Sequence, residues 1–480
     1  MKKIILFILL FTFAFAVAEA QIDPNVKPAP TEAKPIRIGE FHSFVADNNM
    51  RVFLIKKAGY PKFRITVEFG VPLIPLEREP EARRVLSDIF SKGSSIFSAA
   101  QIKDKADLYA ATITGFVNSV TCSGMKSQID TLFPIMTSYL TSPGIDDNAV
   151  KEAVEKGLKK LSDSGTTVAK PTKSTFLARL QDSLTFYTST TPPKMEETVE
   201  EFKNITKESV ESYFSKYINP DNSYCILSGD FTIEEANAII MKHFKGWKGG
   251  VRNKTDFENS FSKSFPTSTK IFVIDNPNAV QSRISVRWPM GDAFPYGENE
   301  ALLMVMNQIY GAGYMSNLNQ NIRLDKGLSY GANNILSINI TGGQCSSNTL
   351  VRNSQTAYAL ENIFFEMLRM RNELVSAKTL DMAKNGLIGD YARSMSQLNS
   401  PAIIGFGMVK DKFNLPDDYL TTYPLKIASV TAEAIREAAQ KYIKPYESLI
   451  IIEGKVADIK GTLEKFAPVE YYTQEGVRIL

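Results

Sequence analysis

Apolar positions in this chain alternate with polar ones in some stretches and recur at helical spacing in others. The alternation over 44–55, broken at Asp47-Asn48-Asn49, predicts a hairpin, and 63–69 predicts another strand. From 80 to 90 the period lengthens. Ala82, Val85, Leu86, Ile89 and Phe90 follow the 3, 4, 7, 8 spacing of a buried helix face, and Gly93 ends the helix. Ser98 opens a short helix through Tyr109, with Gln101 at the capping-box position. Strands are expected over 111–122, followed by an apolar helix over 129–140. A charged helix over 146–162 carries Glu152, Glu155, Lys156, Lys159 and Lys160. Residues 165–175, rich in Thr, Lys and Pro, read as an exposed loop. A helix over 206–217, a strand over 223–227 and a helix over 233–244 complete this part.

The pattern then starts again. A polar stretch from Gly249-Gly250 to about Ser268 reads as a linker. Beyond it, Thr431 to Gly454 repeats Thr206 to Gly229. Thr206/Thr431, Tyr217/Tyr442, Pro220/Pro445 and Gly229/Gly454 share one offset of 225 residues. Upstream, Arg64-Ile65-Thr66-Val67 pairs with Arg283-Ile284-Ser285-Val286 at an offset of 219. Each is followed by a turn and an amphipathic helix, over 80–90 and 298–309. The difference of six residues implies a small net insertion. The expected fold class is α+β, with two homologous halves. Each half is a mainly antiparallel sheet covered by helices, ending in a late strand and a terminal helix.

One stretch of the second half stands out, Ser316 to Gly331. It begins as a helix, with Ser316 as the expected N-cap and Leu318 and Ile322 on one face. Gly327 stops it, with Arg323 and Lys326 in the last turn, where cations suit the helix dipole. A strand follows, with Tyr330 near its start. Arg323 and Tyr330 therefore flank a tight helix-to-strand corner. Both can donate hydrogen bonds to a carbonyl oxygen or to an oxyanion that develops from it.

Composition narrows the chemistry. The chain has 480 residues, 22% of them charged, with a net charge of +3. No basic block or aromatic-basic stripe suggests nucleic acid. Lys2 and Lys3 precede an apolar run over 4–17, and Ala18-Glu19-Ala20 offers a cleavage site. Residues 1–20 therefore read as a secretory signal peptide cut before Gln21, and 21–38 as an extended leader. No other stretch has the apolar length of a membrane anchor, so an exported protein is expected. Cys122, Cys225 and Cys345 are odd in number and widely spaced, which fits buried free thiols on strands. The chain has two histidines, His42 and His243, neither with an identifiable partner to activate a Ser or Cys nucleophile. Gly311-Ala312-Gly313 and Gly342-Gly343 lack the residues of a phosphate loop and read as turns.

The signal peptide, the duplicated halves, the linker and the run AsnGlnAsnIleArgLeuAspLysGlyLeuSerTyrGly over 319–331 together resemble the insulinase/pitrilysin metallopeptidases, relatives of the mitochondrial processing peptidase. The resemblance covers nearly the whole mature chain. It implies a clam shell of two halves around a peptide cavity: 39–248 as the N-terminal domain, 249–268 as the linker and 269–480 as the C-terminal domain. In active members the first half carries HxxEH on its first long helix, with a Glu ligand on a later helix. The second half carries an Arg and a Tyr that hold substrate near the metal, matching Arg323 and Tyr330. The strand around 111–117 resembles the family's substrate-pairing edge.

The metal motif is where this chain departs. Aligned on the Lys92-Gly93-Ser94 end of the helix, HxxEH falls on Arg84-Val85-Leu86-Ser87-Asp88. An inverted zinc motif needs two imidazoles one turn apart and a carboxylate to take a proton from the metal-bound water. Here Arg84 and Asp88 read as an i,i+4 salt-bridge pair, and Ser87 replaces the base. Glu152 and Glu155, on the later helix, have no imidazoles to complete. The expectation is no catalytic residue, metal or cofactor in this chain alone, with zinc in a partner. That partner is a zinc-bearing HxxEH paralogue in a heterodimer acting on an extended peptide; a homodimer stays open. The competing reading is an inactive binding or scaffold protein with the peptidase fold. The resemblance places the protein in a bacterial periplasm.

Overall fold

The computed structural model describes residues 40–70, 80–163, 195–250, 267–290, 299–339, 342–396 and 415–479. The expected signal peptide, leader, 165–175 loop and most of the 249–268 linker lie outside them.

Among the described residues, twelve strands form two six-stranded sheets. The first contains β1 (Glu40–Val45), β2 (Arg51–Lys56), β3 (Lys62–Phe69), β4 (Thr112–Phe116), β5 (Ser119–Met125) and β6 (Ser223–Gly229), in the order β1-β2-β6-β3-β5-β4. The second contains β7 (Lys270–Asp275), β8 (Gln281–Pro289), β9 (Ala332–Asn339), β10 (Gly342–Arg352), β11 (Leu449–Gly454) and β12 (Val469–Tyr472), in the order β12-β7-β11-β8-β10-β9. Only β2–β6, β7–β11 and β7–β12 are parallel, so both sheets are mainly antiparallel. The hairpin over 44–55 and the strand over 63–69 form as expected.

The helices of the first half are α1 (Pro80–Ser91), α2 (Ala99–Leu108), α3 (Ile129–Thr141), α4 (Asp147–Asp163), α5 (Met195–Lys203), α6 (Lys207–Tyr217) and α7 (Ile233–Phe244). The second half has α8 (Glu300–Asn307), α9 (Thr356–Asn372), α10 (Ala377–Met395), α11 (Tyr419–Ala428) and α12 (Ala432–Tyr442). Pleating divides each strand between two faces. Val52, Leu54, Ile65, Val67, Cys225 and Leu227 face the helices of the first half. The five α1 residues picked out by spacing, Ala82, Val85, Leu86, Ile89 and Phe90, are all buried in that core. In the second half Ile271, Val273, Ile284, Val286, Ile450 and Ile452 do the same. Ser98 makes the expected capping box. Its hydroxyl accepts from the Gln101 amide at 3.3 Å, and the Gln101 side chain accepts from the Ser98 amide at 2.9 Å.

The duplication is visible in the register. Arg51 pairs with Tyr224 and Lys270 with Leu449, which preserves offsets of 219 and 225. Thr206 and Thr431 cap α6 and α12 by accepting from the amides of Ser209 and Ala434, at 3.3 and 3.1 Å. The Gly229 carbonyl accepts from the Lys57 amide, and the Gly454 carbonyl from the Asn276 amide, each at 2.8 Å. The insertion can be placed. Opposite Ile65 and Ile284 stand Cys122 and Thr349, an offset of 227, and their outer neighbours Ile113 and Ala332 return to 219. The β9–β10 hairpin is therefore eight residues longer than β4–β5, and two residues are lost again before β11.

Three details differ from expectation. The helix expected over 298–309 is described as α8, and it continues into a π-helical turn, Gln308–Ala312. Gly342 and Gly343 are no turn; they open β10 opposite Asn339 and Ile338. The terminal helix of the second half shrinks to Val456–Ile459, and the chain returns to the sheet as β12.

Candidate functional site

The stretch from Ser316 to Gly331 is wound differently from an α-helix. Asn317–Asn319 is α-helical, and Gln320–Asp325 continues as a π-helical segment. Leu318 and Ile322 are fully buried, as their spacing implies. Ser316 holds the N-cap backbone position, yet its buried hydroxyl has no hydrogen-bond partner and caps nothing. Gly327 ends the segment at φ +60°, a conformation that favours glycine. The strand starts at Ala332, so Tyr330 lies in the turn before it rather than in the strand.

Two asparagines of this run, not singled out by sequence, hold the corner. Asn319 Nδ2 donates to the Tyr314 carbonyl at 2.7 Å, and its Oδ1 accepts from the Ala332 amide at 3.3 Å. Asn321 Nδ2 donates to the buried Glu366 carboxyl at 2.7 Å. Arg369 reaches the same oxygen at 3.1 Å. Burial raises the Glu366 pKa, and Asn321 and Arg369 oppose the shift. The signal in the sequence was polar residues at 319 and 321 flanking buried apolar ones, which is costly unless each is satisfied. Gly311 lets β9 approach closely: a Cβ there would sit 2.4 Å from Cβ of Asn334 and 2.6 Å from its backbone nitrogen.

Arg323 lies in the π-helical segment, and Tyr330 lies in the turn between that segment and the strand. The Arg323 Cζ lies over the Tyr314 ring, 5.1 Å from its centre, a cation–π contact that restrains the guanidinium. Tyr330 is 94% exposed. Leu324, Tyr314 and Met315 are also exposed nearby in sequence.

At the position the resemblance assigns to the metal, the described residues offer no ligand set. Arg84 and Asp88 are not paired with each other, contrary to expectation. Arg84 lies 3.6 Å from Glu81, within its own helix, and Asp88 turns to Lys92 at 3.6 Å and to Lys156 of α4. Glu152, on the later helix, is held by Lys92 at 2.9 Å. Glu155 is exposed. These groups are a guanidinium, a hydroxyl, two carboxylates already bound to ammonium groups and the exposed Glu155, with no imidazole or thiolate among them, so they do not fit a zinc ion. No cluster of three or more metal-ligating side chains occurs among the described residues.

His42 lies half-buried on edge strand β1. His243 does have a partner, which corrects the sequence reading. Its Nε2 is 3.0 Å from Asp130, and its ring packs edge-on to Phe133. Burial lowers its pKa, with Asp130 pulling the other way. Cys122, Cys225 and Cys345 are free, buried and on strands, as expected. Burial pushes the Cys122 and Cys345 thiols up to about 12, which makes them poor nucleophiles. The expected substrate-pairing strand is β4, at an edge of the first sheet.

The fold has counterparts among known proteins. Residues 204–387 match the family described as peptidase M16 inactive domain. The fold is similar to the crystal structure of a peptidase M16 inactive domain from Pseudomonas fluorescens. The TM-score is 0.68 at 17% identity, over 86% of this chain and 98% of that one. A protease from Helicobacter pylori gives 0.68 at 13% identity, over 87% and 99%. The periplasmic protease PqqL from Escherichia coli gives 0.66 at 13% identity, over 91% of this chain and 49% of that one, so this chain spans about half its length. A search of curated proteins by sequence finds no match. The resemblance to the insulinase-type peptidases is borne out. Residues 204–387, less than half of the chain, are similar to that inactive-domain family, and the fold is the α+β fold expected. No helix among the described residues is long and apolar enough to cross a membrane.

Proposed function

We propose that this chain is the non-catalytic, substrate-orienting subunit of a heterodimeric zinc peptidase that degrades peptides. The observation that carries the reading is the Arg323–Tyr330 corner. It is supported by the buried asparagines that tie this stretch to Tyr314 and Glu366, by the Arg323 guanidinium over the Tyr314 ring, and by the exposed Tyr330 phenol. Such donors suit a peptide carbonyl or the oxyanion formed from it, and fixed donors add more to the transition state than mobile ones. The partner supplies zinc from its own HxxEH helix. In this reading the halves, 39–248 and 269–480 joined by 249–268, close as a clam shell over an extended peptide, and edge strand β4 offers backbone pairing. Export to the periplasm is supported by the N-terminal apolar run and by the periplasmic PqqL protease of like fold.

The test combines the purified protein with a zinc-bearing HxxEH paralogue, zinc and a fluorogenic peptide. Cleavage is expected only in the mixture, and it should be lost on chelation. Arg323→Ala should lower kcat by about 100- to 1,000-fold, the cost of one lost oxyanion donor, while the complex still elutes intact. Loss of the complex, or full activity in the variant, overturns the role. The exposed Tyr314 and Met315 beside the corner favour one alternative, an inactive scaffold with a docking face. A stable complex with no gain in cleavage would select it.

A further inference from the structure

We propose a binding site for a small organic carboxylate in the groove between α1 and α4. The groove encloses about 710 Å³. That volume is in the range of small-molecule sites. Its chemistry follows from spacing. Arg84, Ser87, Asp88 and Ser91 share one face of α1, and Ala153, Lys156, Gly157 and Lys160 share one face of α4.

Charge is unbalanced there. Among the described residues Asp88 is the one acidic side chain lining the groove, and Lys156 of α4 and Lys92 already neutralise it. Arg84 lies 3.6 Å from Glu81, beyond hydrogen-bond length, and more than half of its side chain is exposed. Lys160 also lines the groove and is exposed, with no ion pair among the described residues. Among the described residues, two cations and two hydroxyls therefore line a space whose one anion is already neutralised. The guanidinium can take a carboxylate two-pronged, and Lys160 adds a point charge.

The floor is apolar. Phe202 of α5 lies directly on Gly157, where a Cβ would come within 2.5 Å of the ring. A ligand with a carboxylate at one end and an aromatic or aliphatic body at the other matches both parts. This chemistry has two sources, a free organic acid or the C-terminus of a peptide. The site is independent of the Arg323–Tyr330 role.

Calorimetry on the full chain tests it with N-acetylphenylalanine, its amide, and acetylated hexapeptides ending in phenylalanine, free or amidated at the C-terminus. The acids should bind at least about tenfold more tightly than the amides, and added salt should weaken them. Arg84→Gln and Lys160→Gln should each weaken the acid about tenfold, and Ser87→Glu should abolish its binding. All three positions are exposed, and unchanged circular dichroism and melting would confirm that the variants fold. Tighter binding of the free-ended hexapeptide than of the small acid assigns a peptide C-terminus; equal binding assigns a free acid. Amides binding as well as acids, or acid affinity unchanged in Arg84→Gln and Lys160→Gln, overturns the proposal.

Discussion

Glu68 lies half-buried on β3, and burial pushes its carboxyl from the ordinary 4.5 up to about 7. The folded chain holds this proton more tightly than the unfolded chain does. The stability gained is complete below about pH 4.5 and is lost as pH rises through 7. Glu68→Gln should remove that slope. It should raise stability at pH 8 by about 1–2 kcal/mol, a figure already reduced for the water that still reaches the side chain. Urea titrations at pH 5 and pH 8 measure it, and an equal effect at both pH values would sink the assignment. Tyr330 contrasts with it. At 94% exposure its ring contributes little to packing. Tyr330→Ala should shift stability by less than about 0.5 kcal/mol. Thermal melting checks this, and a larger loss would mean that the phenol holds the corner rather than serving a ligand.

At the level of single elements, the duplicated caps make a controlled pair. Thr206→Ala and Thr431→Ala each remove the N-cap hydroxyl that accepts from the N3 amide of α6 and α12, within a reciprocal capping box with Ser209 in α6 only. Each should cost about 1 kcal/mol, and the double variant about 2, since the sites share no partner. Denaturant midpoints test this; a cost in only one half would show that the repeat is conserved in shape but not in energetics. These caps were legible in the sequence because a cap is local: the Thr, the helix and the Pro lie within fifteen positions. The buried face of α1 was legible for the same reason. The ion pairs of α1 were not. The position of Asp88 on its helix suggested Arg84, but α4 brings Lys156 across from 68 residues away. Asp130 and His243 meet across 113 residues, beyond the reach of spacing arguments. The π-helical segments were hidden differently. Leu318 and Ile322 are spaced as on an α-helix, and the extra residue per turn leaves no mark in so short a run. At the corner the sequence pointed to the donors Arg323 and Tyr330 but not to Asn319 and Asn321 beneath them, whose partners are a carbonyl and a distant carboxyl.

The two sheets each carry a separate core, and a third, smaller cluster joins them. Phe53 and Ile55 of β2 and Ile226 of β6 present the face of the first sheet that points away from its own helices. Met395 of α10 and Tyr419 and Leu420 of α11 pack on that face, and all six are buried. Polar contacts flank the cluster: Lys57 Nζ donates to the Ser396 carbonyl at 3.2 Å, and the Tyr391 hydroxyl donates to the Leu420 carbonyl at 2.8 Å. An apolar patch of this size couples the stability of two bodies that would otherwise melt apart, because parting them exposes apolar surface at about 25 cal/mol per Å². The native chain should therefore unfold in one calorimetric transition. Leu420→Asp buries an unpaired carboxylate in the joint while leaving both main cores intact, so it should split the melt into two transitions. A single transition merely shifted to lower temperature would show that the halves are coupled elsewhere. The outcome bears on function, since an opening motion between halves has to separate or slide this patch. If Leu420→Asp also speeds peptide release from the reconstituted pair while leaving the Arg323–Tyr330 corner unchanged, the joint is the hinge that controls access to it.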